Sequence, residues 1–378
     1  MATELDFKSA WTHTDDTRVA FEEVRECIAQ PSPACVFFYC SPKYNLEVLA
    51  RLIQEHYDCP VLACTTAGEV VPGYGYVEDG MAAGSLASPH IQIAQESIPD
   101  VRSLDSSTAM RIKERLLDRL CGADGENERC FGMLLIDGLC EREEFVAATV
   151  YGALGGVPII GGSAGEAGAL KDTYVLADGQ FRTGAATLTL FRTTLPFLIF
   201  KTDNFEKSDT RFVVTRAEPE KRRLLEINGM SPAQFYLERT GITRPEFNAL
   251  HAARHPLLLP VGSDHYARGV MSVSEDGCLN MFCAIEEGIV LRMGVSEDIV
   301  ADLERQRQAI EAVVPNHHVT LGFDCFYRRL EVIDRNLREV MRPVVDNMNL
   351  FAFNTYGEQY NGLHINQTLT GVALGTHG

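Results

Sequence analysis

The sequence has no block of lysine or arginine, no long apolar run and no C-x2-C cysteine pair, and each absence removes a class of protein. Acidic residues outnumber basic ones, 52 to 34, for a formal net charge of -18. With no basic cluster to offset that excess, nucleic acid and anionic membrane surfaces are poor partner candidates. No stretch reaches the roughly 18 uninterrupted apolar residues of a membrane-spanning helix. The opening residues, MATELDFKSAWTHTDD, lack the basic-then-apolar signature of a secretory signal, so a cytoplasmic location is expected. Eleven cysteines, an odd number, lie in apolar segments and read as reduced core thiols. Cys35 and Cys40, Cys59 and Cys64, and Cys278 and Cys283 share a C-x4-C spacing. On a strand that spacing sends the two sulfurs to opposite faces, which disfavours a shared metal.

What is present is an ordinary globular composition, 46% hydrophobic and 23% charged over 378 residues, long enough for two domains. The pattern predicts an α/β fold: mixed β-sheets with packed helices, internally duplicated β-α-β units in an N-terminal domain, and a smaller α/β C-terminal domain. Residues 1–30 read as a helical extension, 31–223 as the first domain and 224–378 as the second. The first β-α-β unit is ACVFFYC, NLEVLARLIQEHY with Asn45 as N-cap, and PVLACTTAGE. The second is FGMLLIDG, EEFVAATVYGALG and VPIIGGSAGE. Thr66-Ala67-Gly68-Glu69 echoes Ser163-Ala164-Gly165-Glu166, the mark of an internal duplication. Residues 173–200 read as antiparallel edge strands turning at Asp178-Gly179. A long helix is expected from Ser296 to Val314 with Ser296 as its cap.

Gly161-Gly162-Ser163-Ala164-Gly165 fits the G-x-S-x-G nucleophile elbow, yet the following EAGALKDTYVLADG is broken by glycine and turns strand-like where the elbow needs a helix. An enzyme is therefore not expected, and the serine hydrolase is the least favoured reading. The two glycine-rich turns read either as tight packing at strand ends or as small-residue loops whose backbone N–H groups, with Thr65, Thr66 and Ser163, meet a polar ligand. Neither has a P-loop lysine or G-x-G-x-x-G, which disfavours nucleotides. His251 and His255 lack the zinc-protease pattern and read as surface or packing residues. His364 differs: alternation places His364, Asn366 and Thr368 on one strand face, which calls for solvent, a hydrogen-bonded core network or a ligand.

The phrases TTAGE, GGSAGE with DTYVLADG, Cys325-x2-Arg328, NTYGEQY and HINQTLT occur in that order, and together they resemble the FIST family from about Ala34 to Leu374. The resemblance implies a sensory, ligand-binding protein, possessing a FIST N-terminal and a FIST C-terminal domain. It further implies the stand-alone nitric-oxide-sensing haem type, with a histidine kinase partner in two-component or cyclic-di-GMP signalling. On that reading haem b is held non-covalently, with His364 and then His265 as axial candidates and Arg268 pairing a propionate. The alternative is an amino acid or other small polar metabolite, with Thr65, Thr66, Gly68, Glu69, Gly162, Ser163, Gly165, Arg268, Arg328, Tyr356, Glu358, His364, Asn366 and Thr368 as the pocket. There Arg268 and Arg328 clamp a carboxylate and Glu358 receives an ammonium. A homodimer is compatible with either reading.

Overall fold

The computed structural model describes residues 4–120, 129–167, 170–262 and 264–377. The chain begins β1 (Asp6–Thr12), α1 (Thr17–Cys27), β2 (Cys35–Cys40), α2 (Leu46–His56), β3 (Val61–Thr65), β4 (Glu69–Val71), β5 (Gly75–Val77) and β6 (Met81–Ala87). It continues β7 (Ile91–Ile98), α3 (Ser106–Leu120), β8 (Arg129–Ile136), α4 (Glu143–Leu154), β9 (Ile159–Ser163), β10 (Val175–Ala177), β11 (Gln180–Arg182), β12 (Ala186–Thr193) and β13 (Phe197–Thr202). The predicted units β2-α2-β3 and β8-α4-β9 are there, each built on a parallel strand pair. Asn45 caps α2 by accepting from Val48 N at 3.1 Å, and Asp178 and Gly179, both at positive φ, turn the β10-β11 hairpin. β12, expected at a sheet edge, instead lies between β8 and β7 and is buried on both faces, Leu188 and Leu190 on one and Phe191 with Thr187 and Thr189 on the other.

A third copy of the unit closes the chain: β21 (His317–Cys325), α8 (Phe326–Asp334), α9 (Arg338–Asn347) and β22 (Leu350–Thr355), again with a parallel pair, then β23 (Glu358–Tyr360), β24 (Leu363–Ile365) and β25 (Leu369–Gly375). The three units repeat one strand order: β1-β6-β2-β3, β7-β12-β8-β9 and β13-β25-β21-β22. Each then gives a hairpin to another unit. β4-β5 leaves β3 and adds to β22, β10-β11 leaves β9 and adds to β3, and β23-β24 leaves β22 and adds to β9.

The period of two along each strand explains the packing. Cys35, Phe37 and Tyr39 face a core shared by all three sheets, while Val36, Phe38 and Cys40 face α1 and α2. Phe131 and Phe323 bring the other two sheets to the same core, where Phe131 stacks on Phe191 at 4.7 Å. Helices α3 and α4 cover the second sheet through Leu116 and Val146. The same alternation separates the cysteines, Cys35 and Cys64 inward, Cys40 and Cys59 on the helix side. Among the described residues, no group of three His, Cys, Asp or Glu is placed to hold a metal, and no helix is long and apolar enough to cross a membrane.

Between β13 and β21 the chain inserts β14 (Phe205–Glu218), β15 (Arg223–Ile227), α5 (Pro232–Thr240), α6 (Ala249–Arg254), β16 (Leu257–Val261), β17 (Asp264–Arg268), β18 (Val270–Val273), β19 (Leu279–Met281), β20 (Val290–Ser296) and α7 (Ile299–Val313). Its strands form one sheet in the order β17-β16-β20-β14-β15-β19-β18. Its core, with Phe212, Tyr236 and Leu291, also takes in Cys325 and Tyr327 of the third unit. The sequence-derived boundary at 223/224 falls inside β15, whose pairing with β14 and β19 runs on across it. Residues 1–30 are no extension, since they supply β1 and α1 to the first sheet. Helix α7 starts later than expected: Asp298 rather than Ser296 is its cap, accepting from Val300 N at 2.9 Å and Ala301 N at 3.1 Å.

The packing of the third sheet, through β21 and β22, on the second leaves no room at Gly162. A Cβ there would lie 2.6 Å from Thr355 Cγ2, 2.7 Å from Phe323 Cδ1 and 2.8 Å from Phe353 Cζ. Gly162→Ala is expected to cost about 2 kcal/mol by overpacking, read as a lowered urea midpoint at unchanged m-value. An unchanged midpoint would contradict this account of the core.

Candidate functional site

The three units end in matching turns, Thr66-Ala67-Gly68-Glu69, Ser163-Ala164-Gly165-Glu166 and Thr355-Tyr356-Gly357-Glu358. They meet and bond to one another. Ala67 N donates to Asn354 O at 3.1 Å, Gly165 N to Thr65 O at 2.9 Å, Ser163 N to Gly357 O at 2.8 Å and Tyr356 N to Ser163 O at 3.2 Å. Thr65 N and Thr66 N are also used, by Tyr174 O at 2.9 Å and Cys40 O at 3.0 Å. The expectation that these turns offer backbone N–H groups to a ligand is therefore corrected at Thr65, Thr66, Ala67, Ser163, Gly165 and Tyr356, whose N–H groups are already taken within the protein. Gly68, at φ 137°, lies so close to Arg329 and Asn354 that a side chain would collide.

The side chains of the turns are spent in the same way. Thr66 donates to Glu69 and Thr355 to Glu358. Glu358 also accepts from Thr368 N at 3.0 Å and Thr368 Oγ1 at 2.7 Å. Burial drives both carboxyls up, opposed by those donors, to about 8. Tyr356 donates its hydroxyl to Glu166 O and Oε1, each at 2.9 Å. Ser163 Oγ accepts from Gln359 Nε2 at 2.9 Å, and among the described residues the next regular element after β9 is β10, so the elbow's helix is absent.

Arg328, expected to clamp a ligand carboxylate, is corrected to an internal partner. It is 2% exposed and bonds Asp324 Oδ1 at 2.8 Å and Asn204 Oδ1 at 2.9 Å. Tyr76 OH and Asn354 Nδ2 hold the other oxygen of Asp324 at 3.0 and 3.1 Å. His265 and His364 do not share a site. His265 stands among Lys207, Arg292, Asp203 and Asp264, His364 among Glu144, Arg222 and Arg268. The single strand face carrying His364, Asn366 and Thr368 is also corrected, since Gln367 takes a positive φ of 59° and separates β24 from β25.

His364 marks a polar seam where the inserted sheet closes on the three-unit body. Arg222, just before β15, bonds Glu143 and reaches Glu144 Oε2 at 2.8 Å at the start of α4. Its Nη1 donates to Phe282 O at 2.7 Å, and Ala284 N donates to Glu144 Oε1 at 2.6 Å. Arg268 Nη1 donates to His364 O at 3.2 Å, and Gly269 N to Asn366 Oδ1 at 3.1 Å. Burial pushes the Cys283 thiol up while Arg268 draws it down. Burial, with Arg222 and Arg268 adding to it against Glu144, lowers His364 to about 4, so its ring is neutral. Among the described residues, His364 Nε2, Arg268 Nε and Gln359 Oε1 are buried here without a hydrogen-bond partner. Arg222, Glu143, Glu144, Phe282 and Gln359 were missed from sequence, since nothing in their spacing joins them.

Haem does not fit this arrangement. The void next to Asn366, walled by Phe282, Phe326, Tyr327 and Tyr356, measures about 10 Å³, room for one water. The His364 ring is packed on Gly357, with Nε2 2.7 Å from where a Cβ would stand.

The family model of the FIST N domain matches residues 34–230 and that of the FIST C domain residues 232–361, so the chain belongs to the FIST family. FIST domains are sensory ligand-binding domains of signalling proteins. No curated protein matches the chain. Among solved structures, cyanuric acid hydrolase from A. caulinodans is similar at 10% identity over 98% of this chain and 99% of that one. Its TM-score of 0.33 is too low to carry an argument.

The buried carboxyl of Glu69 sets a pH dependence. Its folded pKa, about 8, stands above the ordinary 4.5, so the folded state keeps a proton that the unfolded chain releases. That contribution to stability is complete below about pH 4.5 and is lost as pH rises to about 8, at up to about 1.4 kcal/mol per pH unit. Glu69→Gln is expected to flatten the decline between pH 5 and 8 in urea titrations; an unaltered slope would contradict it.

Proposed function

We propose that this protein is a sensor, not an enzyme, which takes a small polar metabolite into the seam and passes the change in the inserted sheet to a partner. A histidine kinase is the partner class the family suggests. One observation supports the choice of site: unpartnered polar atoms of His364, Arg268 and Gln359 lie buried where the inserted sheet meets the three-unit body. Buried polar groups are normally paired, and leaving one unpaired costs about 1–3 kcal/mol. A ligand that pairs them recovers that free energy and is felt by both bodies at once. Haem-based sensing of nitric oxide shares the requirement for a neutral His364 but needs a far larger opening than the present void.

The proposal is checked by thermal shift against a metabolite set, alongside the visible spectrum with and without added haemin. A stabilising metabolite whose effect is lost in Arg268→Gln, with no Soret band, is the expected result. A Soret band abolished by His364→Ala would instead establish the haem reading.

A further inference from the structure

We infer that the ligand of the seam is a small carboxylate whose far end carries no hydrogen-bond donor, an aromatic ring or a fully methylated ammonium. The inference rests on the seam being the binding site and names the chemistry it selects.

The anion end follows from two N–H groups. Gln359 Nε2 faces His364 Nδ1 at 3.2 Å. An amide nitrogen is a donor, so Nδ1 accepts, and the neutral ring carries its proton on Nε2. That Nε2–H, in a residue 2% exposed, and Arg268 Nε–H are buried with no acceptor in good hydrogen-bond geometry. The His364 ring interacts only loosely with the Phe282 backbone and the Arg268 side chain with the Cys283 thiol, and Glu144 is the nearby carboxylate that a ligand anion must share the seam with. Among the described residues Arg268 has no carboxylate partner, whereas Arg222 has Glu143 and Glu144. An arginine without a counter-charge beside a second donor suits a carboxylate.

The far end is a cluster of rings. Phe282 of the inserted segment stands 5.4 Å from Tyr327 and 6.3 Å from Tyr356, and Phe326 stands 6.1 Å from Tyr356, centroid to centroid. Their polar atoms are turned to other partners: Tyr327 OH donates to Val270 O at 2.8 Å and Tyr356 OH to Glu166. Asn366 Oδ1 accepts from Gly269 N, and both oxygens of Glu358 are taken by Thr355 and Thr368. The expectation that Glu358 receives an ammonium is thereby corrected. A primary ammonium or hydroxyl placed here would leave its hydrogens unpaired. A ring, or a trimethylammonium against aromatic faces, would not. The two ends adjoin at Gly357, where a Cβ would lie 2.7 Å from His364 Nε2 and 3.0 Å from Asn366 Nδ2. Since the void holds only a water, a ligand enters by parting Phe282 from Tyr356 of the third unit and from Tyr327, which the inserted sheet also holds through its core and the bond to Val270 O.

Calorimetric titration and thermal shift of the full chain with benzoate, glycine betaine, glycine and benzamide test this. Benzoate, betaine or both are expected to bind and raise the Tm, with glycine and benzamide inert; which of the two binds tells the ring from the methylated ammonium. Arg268→Gln is expected to weaken that binding about ten- to a hundredfold, while its unliganded Tm shows that it folds. Glycine matching betaine, benzamide matching benzoate, or no binding by any of the four overturns the inference. If another metabolite then stabilises the wild type but not Arg268→Gln, the seam survives and only the ligand class falls. Stabilisation indifferent to Arg268→Gln removes the seam itself.

Discussion

The structure depends on the pairing of three buried turns with one another. A loop inside a core brings peptide N–H and C=O groups that water cannot reach, and each unpaired one costs free energy comparable to a lost hydrogen bond. Here Ala67, Gly165, Ser163 and Tyr356 donate across unit boundaries to the carbonyls of Asn354, Thr65, Gly357 and Ser163. Each turn is satisfied partly within its own unit, as by Thr66 N to Cys40 O and Ala164 N to Ile136 O, and partly by its neighbours. That mutual dependence ties the sheets together, and after its turn each unit sends a hairpin to a neighbour's open edge.

The exchange also locates the seam. The hairpin β23-β24, sent from the third unit to the second, lies under the inserted sheet and carries Gln359 and His364 there. The second unit supplies Glu143 and Glu144 from the start of α4, and the inserted segment supplies Arg222, Arg268 and Phe282. The inserted sheet thus meets the three-unit body partly through a core shared with Cys325 and Tyr327 and partly through this polar seam. Such a seam is weaker than a shared core and more responsive to an added charge. A sensor needs an element whose position a ligand can bias.

Much of this was legible in the sequence and some was not, for physical reasons. Strand alternation in Cys35–Cys40 and helical periodicity in Leu46–His56 are local signals, and the structure follows them. The echo of Thr66–Glu69 in Ser163–Glu166 revealed two units. The third, Thr355–Glu358, carries the same hydroxyl, glycine and glutamate, but the inserted residues between β13 and β21 hide its spacing. Asp324, four residues before Arg328, was the available sign that Arg328 is paired internally on the turn entering α8. His364 was singled out by polarity within apolar strands, and it is buried in the seam. Its neighbours Glu144 and Arg222 belong to other units, and sequence distance gives no hint of their approach.

The central claim is that ligand is taken where the inserted sheet closes on the three-unit body. A crystal structure of the protein with a stabilising ligand tests it most directly. The account expects density for the ligand between Arg268 and His364 on one side and Phe282, Tyr327 and Tyr356 on the other, with the inserted sheet displaced. Ligand density at the glycine-rich turns or on the outer helices, with the seam still closed, would contradict it.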